Sequence, residues 1–354
     1  MKALVKTAKG EGNIEVRDVP KPAIAHDDEL LIRINAAGVC GTDIHILHDG
    51  FPYWPPVILG HEFTGTVVEA GKAVTRFNAG DRVVAEPHTH FCGKCALCRA
   101  GHIQICSEKR SPGWGMNGAF TDYIVMPELF LHHIPDSLSD SAAALTEPTA
   151  IAVHGVLERG KLQACESVAI IGAGPLALLC VVVAKAAGAG KIFILGTDAD
   201  EELRFPVANK FGVDASINVV RQDAAAMILE QTGGLGVDLV IEASGAAAGI
   251  NTGISIAKKR GRITALGLPG QKEIPVCWTD MVKKVIDVTF CFSSSVSSWE
   301  KAISVLASSR LDLDLLISHK STIDNWEKVF GDCERGNAIK ALFIPRCDKG
   351  AVLE

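Results

Sequence analysis

The stretch SVAIIGAGPLALLCVVVAKAAGAGKIFIL, residues 167–195, decides how the second half of the chain folds. It is apolar enough to be taken for a membrane span, but Gly172, Gly174 and Pro175 break it early and Lys185 interrupts it later. A span needs about 20 predominantly apolar residues, so a buried strand, a glycine turn and a buried helix account for it better. Outward from this stretch the pattern repeats: KIFILG is a second strand, EELRFPVANKFG a helix, and VDLVIEAS and GRITALGL are further strands. Continuously apolar strands that alternate with helices predict an α/β domain with a parallel, doubly wound sheet.

Before residue 150 the texture is different. ELLIRINAAGVC, EFTGTVVEAG, GDRVVAEP and AFTDYIVMP are short β-type runs set between Gly, Pro and Asp, which predicts a strand-rich, barrel-like region with long loops. The serine-rich CFSSSVSSWE reads as a boundary, WEKAISVLASS as the helix after it, and AIKALFIP as a strand returning to the first region. The expected domains are 1–150 with 290–354, and 151–289. A chain of 354 residues is long enough for both to bury their own cores.

Composition narrows the function. With 48% hydrophobic and 21% charged residues the chain is globular, and a net charge of −6 without a basic run excludes nucleic acid and anionic membrane as expected partners. MKALVKTAKGEGNIEV lacks the apolar core and cleavage site of a secretory signal, and the eleven cysteines are an odd number, so reduced thiols and a cytoplasmic location are expected.

Four of those cysteines fall in CGKCALCRAGHIQIC. Cys92, Cys95, Cys98 and Cys106 are spaced C-x2-C-x2-C-x7-C, a pattern that can close a tetrahedron of thiolates around a structural zinc ion. Two disulfides and an iron–sulfur cluster are the rivals, the disulfides opposed by the expected compartment and by strained two-residue separations, the cluster lowered by the absence of a flanking Cys-Pro and of a second cluster. Upstream, Cys40 and the adjacent pair His61 and Glu62 offer a thiolate, an imidazole and a carboxylate. Three protein ligands leave a fourth position open, which is the arrangement of a catalytic zinc site. In IIGAGPLAL, Gly172-x-Gly174-x-x-Ala177 stands between strand and helix, where glycines let the backbone approach a pyrophosphate and a helix N-terminus holds it.

GVCGTDIH, GHEFTGTVVEAG, the cysteine lobe and AIIGAGPLA, in this order, resemble the motif set of the zinc-containing medium-chain alcohol and polyol dehydrogenases, in the branch of the sorbitol and threonine dehydrogenases. The resemblance covers nearly the whole chain. It implies a GroES-like catalytic domain and a Rossmann coenzyme domain, with Cys40, His61 and Glu62 as catalytic zinc ligands and Glu147 beside that zinc, ligating it directly or through water. It further implies that Thr42 orients the substrate oxygen and that His45 is the outer end of a proton relay. Gly172, Gly174, Pro175, Leu176 and Ala177 would hold the coenzyme pyrophosphate, and Gly267 would line the nicotinamide. One departure stands out: where relatives that bind NAD carry an acid for the ribose, this chain has Gly196, and Asp198 is the nearest replacement. NAD is expected ahead of NADP.

The implied activity is reversible oxidation of a secondary alcohol, a polyol or sugar alcohol, to a ketone. Threonine 3-dehydrogenase activity is the alternative, and a catalytically silent nucleotide-binding or structural protein is another. Zinc-free reductases of the same superfamily lack the GHE pair and the cysteine lobe. Similar enzymes are homodimers or homotetramers, which is the expectation here.

Overall fold

The computed structural model describes residues 1–345. The chain forms two compact units, one made of Met1–Glu147 with the segment from Ile317, the other of Pro148–Leu316.

In the second unit six strands make one sheet in the order Ala215–Asn218, Lys191–Gly196, Ser167–Ile171, Val237–Glu242, Ala257–Ala265, Asp287–Phe290, and every pairing is parallel. The first strand in sequence, Ser167–Ile171, lies inside the sheet, and the chain winds outward from it first to one side and then to the other. This is the doubly wound sheet the apolar runs predict. Its strands are buried because helices Pro175–Ala186, Arg204–Lys210, Ala224–Gln231 and Ala247–Ile256 fall between them in sequence and cover them. Gly172 therefore sits at the carboxyl end of a central strand, where the winding direction changes. Among the described residues no helix is long and apolar enough to cross a membrane.

The first unit is built on strand Glu29–Gly38, which pairs antiparallel with Glu62–Ala70, Tyr123–Pro127 and Lys340–Phe343. The sheet continues through Arg82–Ala85 to Leu131–His133, and Ile317–Ser321 closes the other side. Leu30, Ile32, Ile46, Phe63, Phe120 and Phe343 lie in its core. AIKALFIP thus returns as a strand, with Phe343 opposite Ala37 and Leu342 opposite Gly38.

The division of the chain differs from the boundary at 290. Residues 290–316 pack with the second unit, and the change comes at Leu316 and Ile317. Two features hold this segment: Asp287–Phe290 is the last strand of the parallel sheet, and Trp299 on helix Val296–Ser308 is fully buried with its Nε1 donating to Ser294 Oγ at 3.1 Å. The end of the expected first domain, 346–354, lies outside the described residues.

Candidate functional site

Strand Glu29–Gly38 runs through Val39 into Cys40, which starts the helix Gly41–Leu47. Asp43 is the third residue of that helix, and its carboxylate accepts from the Cys40 N–H at 2.9 Å and the Gly60 N–H at 3.3 Å. One buried acid thereby ties the turn that carries Cys40 to the turn that carries His61. Cys40, His61 and Glu62 bring a sulfur, a ring nitrogen and a carboxylate oxygen within 4.8 Å of one another. His61 Nδ1 lies 4.0 Å from Asp43 Oδ1, which leaves Nε2 as the nitrogen for a metal.

Behind Glu62 stands Lys340, whose ammonium pairs with Glu62 Oε2 while both side chains are almost wholly buried. Burial alone would lower the Lys340 pKa, but Glu62 and Cys40 raise it above its ordinary value, so the charge is kept. Glu147, in the first turn of helix Thr146–Val153, is outside the tight three-residue set and interacts with His61 and Glu62 from alongside. Burial pushes its carboxyl up to about 7, with His61 opposing the shift. For His61, burial acts to lower the pKa, and the charges of Cys40, Asp43 and Glu147 overcome it and bring it to about 10.

These groups fit a zinc ion. Glu147 Oε2 is buried without a hydrogen-bond partner, and the Cys40 thiol and the Glu62 and Glu147 carboxyls crowd one small volume, a costly arrangement that a metal cation would relieve. A mixed sulfur, nitrogen and oxygen donor set is the one zinc accepts at catalytic centres. Thr42 Oγ1 lies 3.7 Å from Cys40 Sγ. His45, one helical turn further on the same face, is exposed.

Cys92, Cys95, Cys98 and Cys106 form a second set with their sulfurs within 4.8 Å of one another. Cys92 Sγ and Cys98 Sγ are 3.9 Å apart, close to the edge of about 3.8 Å expected for a tetrahedron with zinc–sulfur bonds of about 2.3 Å. The N–H groups of Cys95, Cys98 and Cys92 donate to Cys92 Sγ, Cys95 Sγ and Cys106 Sγ at 3.3, 3.4 and 3.5 Å. Backbone donors from Lys94 and Cys95 bring the Cys92 thiol down to about 7, while burial and the neighbouring sulfurs push Cys98 up to about 12. Four thiolates do not coexist here without a cation, and the residues fit zinc.

In the second unit Gly172 turns with φ +98°, and a Cβ added at Gly174 would meet nothing within 4 Å, so the backbone there is bare. The helix Pro175–Ala186 that follows begins at Gly174 with no side chain capping its N–H groups. Leu176 lies in the first turn, and Ala177 is buried under it. The turn fits a dinucleotide pyrophosphate. Gly267 N donates to Glu242 O at 2.9 Å, and a Cβ there would lie 2.2 Å from Gly245 N, so only glycine fits the segment.

A side chain at position 196 would require its neighbours to shift. A Cβ on Gly196 would stand 2.6 Å from Asp200 Oδ2 and 2.9 Å from the Phe205 ring. Asp200 has folded back over the strand end, accepting from Thr197 N at 2.8 Å and Arg204 Nη1 at 2.7 Å. Asp198 is half exposed beside it, accepting from Asn218 Nδ2 at 2.6 Å.

Asp43, Lys340 and Lys109 were not among the residues the sequence singles out. Lys109 is brought down to about 8 by burial, against the opposing charges of Glu147 and Glu86. Asp43 left a trace, since an acid three residues after a helix start caps it. Lys340 left none.

Residues 26–136 match the alcohol dehydrogenase GroES-like domain, and residues 175–308 match the zinc-binding dehydrogenase domain. A sorbitol dehydrogenase of Halalkalibacterium halodurans is 36% identical over 98% of this chain and 99% of its own length. An L-threonine 3-dehydrogenase of Bacillus velezensis is 35% identical over 98% of this chain and 99% of its own. Among solved structures, a protein of Sinorhizobium meliloti 1021 described as a zinc-binding dehydrogenase, bound to NADP, superposes with a TM-score of 0.89 at 32% identity, covering 97% of this chain and 99% of that one. The chain belongs to the zinc-dependent medium-chain alcohol dehydrogenases, with a GroES-like and a Rossmann-like domain, and is an oxidoreductase that acts on small-molecule alcohols with a nicotinamide coenzyme.

Proposed function

We propose that the enzyme reversibly oxidises a secondary alcohol of a polyol or sugar alcohol to the ketone, with NAD as coenzyme. The observation that carries the substrate class is Glu147. A buried carboxyl with an unpartnered oxygen beside the Cys40, His61 and Glu62 set suits a substrate that brings a second hydroxyl, because a simple alcohol would leave that polar atom unsatisfied. The identity to a threonine dehydrogenase keeps L-threonine as the second reading, since it too is a secondary alcohol with a polar neighbour.

Zinc, when bound, supplies Lewis acidity towards an alcohol oxygen, and the nicotinamide ring accepts hydride. Cys40, His61 and Glu62 would hold the ion, with Glu147 beside it and in reach of it through water. Asp43 ties the turns that carry Cys40 and His61 together, and Lys340 neutralises one oxygen of Glu62. Thr42 would accept the proton of the substrate hydroxyl while passing its own on through the ribose of the bound coenzyme towards His45, which is exposed on the next turn and would release a proton to water. Cys92, Cys95, Cys98 and Cys106 hold the structural zinc. In the coenzyme site Asp198 accepts the ribose hydroxyls in place of the acid that Gly196 cannot be. The unbridged thiols of the described residues suit a reducing compartment, and the cytoplasm is the proposed location. The active species is proposed to be a homo-oligomer.

The test is a panel of sugar alcohols, L-threonine and simple secondary alcohols with NAD and NADP, together with metal analysis. About two zinc per chain and highest kcat/KM on a polyol with NAD are expected. Highest turnover of threonine would select the second reading, and no turnover of any alcohol would point to the silent alternative.

A further inference from the structure

We infer that Arg221 selects the coenzyme: it is a ligand for the 2′-phosphate of NADP that Asp198 and Glu201 keep occupied, so that NADP is disfavoured until these two carboxylates are removed. The inference rests on the NAD reading above and names the residues that enforce it.

Strands Lys191–Gly196 and Ala215–Asn218 pair in parallel with Gly196 opposite Asn218, so the residues just beyond their carboxyl ends share one rim of the sheet. On this rim lie four side chains. Arg221 Nε pairs with Asp198 Oδ1 at 2.7 Å and its Nη1 with Glu201 Oε2 at 3.2 Å. Asn218 Nδ2 donates to Asp198 Oδ1 and to Glu201 Oε1, both at 2.6 Å. Asn218 is itself buried and fixed, with its Oδ1 accepting from Val220 N at 3.0 Å and its N–H donating to Gln222 Oε1 at 2.8 Å. The group is therefore anchored from below by an amide and closed from outside by a guanidinium.

Charge decides which coenzyme such a rim accepts. Two carboxylates face one guanidinium, leaving one negative charge over, and the other nearby cation, Arg204, is spent on Asp200 at 2.7 Å. A ribose diol donates hydrogen bonds to the surplus carboxylate. A 2′-phosphate carries close to two negative charges and meets repulsion from the same oxygens. Arg221 is largely exposed and has the planar fork that grips phosphate, but both of its engaged nitrogens already serve carboxylates. Removing Asp198 and Glu201 turns the rim from one surplus negative charge to one positive charge without altering Arg221.

The experiment measures equilibrium binding of NADH and NADPH to the zinc-loaded enzyme by coenzyme fluorescence, a readout independent of turnover. The proteins are the unaltered chain, Asp198→Ser with Glu201→Gln, and the same pair combined with Arg221→Ala, each checked for folding by its melting transition. The double variant is expected to bind NADPH at least about tenfold more tightly than the unaltered chain, and adding Arg221→Ala is expected to abolish that gain. A gain that survives Arg221→Ala would show a general charge effect and overturn the assignment, as would no gain in the double variant. The unaltered chain tests the underlying reading separately: tighter binding of NADPH than of NADH there would reject both the NAD preference and the lock, whereas NADH preference with no gain in the double variant would reject the lock alone.

Discussion

A Cβ added at Gly38 would lie 2.4 Å from Glu62 Oε2 and 3.0 Å from Lys340 Cε, so the central strand of the first unit passes between these two side chains only as glycine. The buried pair it accommodates has a calculable consequence. Removing one member of a buried ion pair leaves the other uncompensated, at a cost of about 3–5 kcal/mol, whereas replacing both with apolar groups is often close to neutral. Lys340→Met is therefore expected to lower the unfolding free energy of the zinc-loaded enzyme by about that amount in denaturant titrations, and Lys340→Arg to retain most of it. A loss below about 1 kcal/mol for Lys340→Met would mean that the pair is not the compensation Glu62 depends on. At this scale the sequence offered Cys40, His61 and Glu62 as candidate ligands by residue type and by resemblance, and the fold brings their donor atoms within 4.8 Å of one another. Lys340 was not legible, because any lysine at the end of the chain looks like a solvated one until the strand Lys340–Phe343 is placed beside Gly38.

Elements bring together what spacing keeps apart, and Glu158 is the case in the second unit. It lies on a turn of π-helix, His154–Arg159, and accepts from Ser295 Oγ at 2.6 Å, Ser297 Oγ at 2.8 Å, Lys301 Nζ at 2.7 Å and His154 Nδ1 at 2.8 Å. The serine-rich stretch, which as sequence resembles a linker, is the capped start of helix Val296–Ser308, with Ser295 Oγ accepting from Ser298 N at 3.2 Å. Serines read as loop because they compete with backbone hydrogen bonds, and only a carboxylate 137 residues upstream turns them into a docking point. Burial alone would raise the Glu158 pKa, but the donors from Lys301, Ser295, His154 and Ser297 bring it down to about 2 from 4.5. A folded pKa below the unfolded one gives stability that is present above the unfolded value and lost as pH falls through the folded one. Glu158→Gln is thus expected to be less stable than the parent by roughly 2 kcal/mol near neutral pH, with the difference shrinking from about pH 4.5 towards pH 2. A difference that stays constant over that range, measured by denaturant unfolding at each pH, would show that the carboxylate charge is not what the serines hold. The central strands Ser167–Ile171, Lys191–Gly196 and Val237–Glu242, by contrast, were legible, since each is a largely continuous apolar run, whereas the short strand Ala215–Asn218 is too polar to show that pattern.

At the scale of the molecule the sequence divides correctly into a β-rich and a parallel-sheet texture, but the strand Asp287–Phe290 and the helix after it give no compositional sign of which unit they join. Among the described residues that strand ends the parallel sheet and pairs with Ala257–Ala265 on one side only. Phe290 is 75% exposed and Trp278, on the helix Trp278–Lys284 before it, 68% exposed, with Val282, Val285 and Phe292 also open to solvent. Unpaired edges that carry large apolar side chains invite strand pairing, and natural chains normally blunt them with charge or proline. The homo-oligomer proposed above would use this edge, because a two-fold axis beside an edge strand sets the same strand against itself and buries the same apolar side chains twice. The enzyme is accordingly expected to be at least a dimer by light scattering at micromolar concentration. Phe290→Asp places two like charges at such an axis and is expected to give a monomer whose far-ultraviolet circular dichroism is unchanged. A monomeric parent, or a Phe290→Asp variant that remains dimeric, would assign these apolar residues to some other contact.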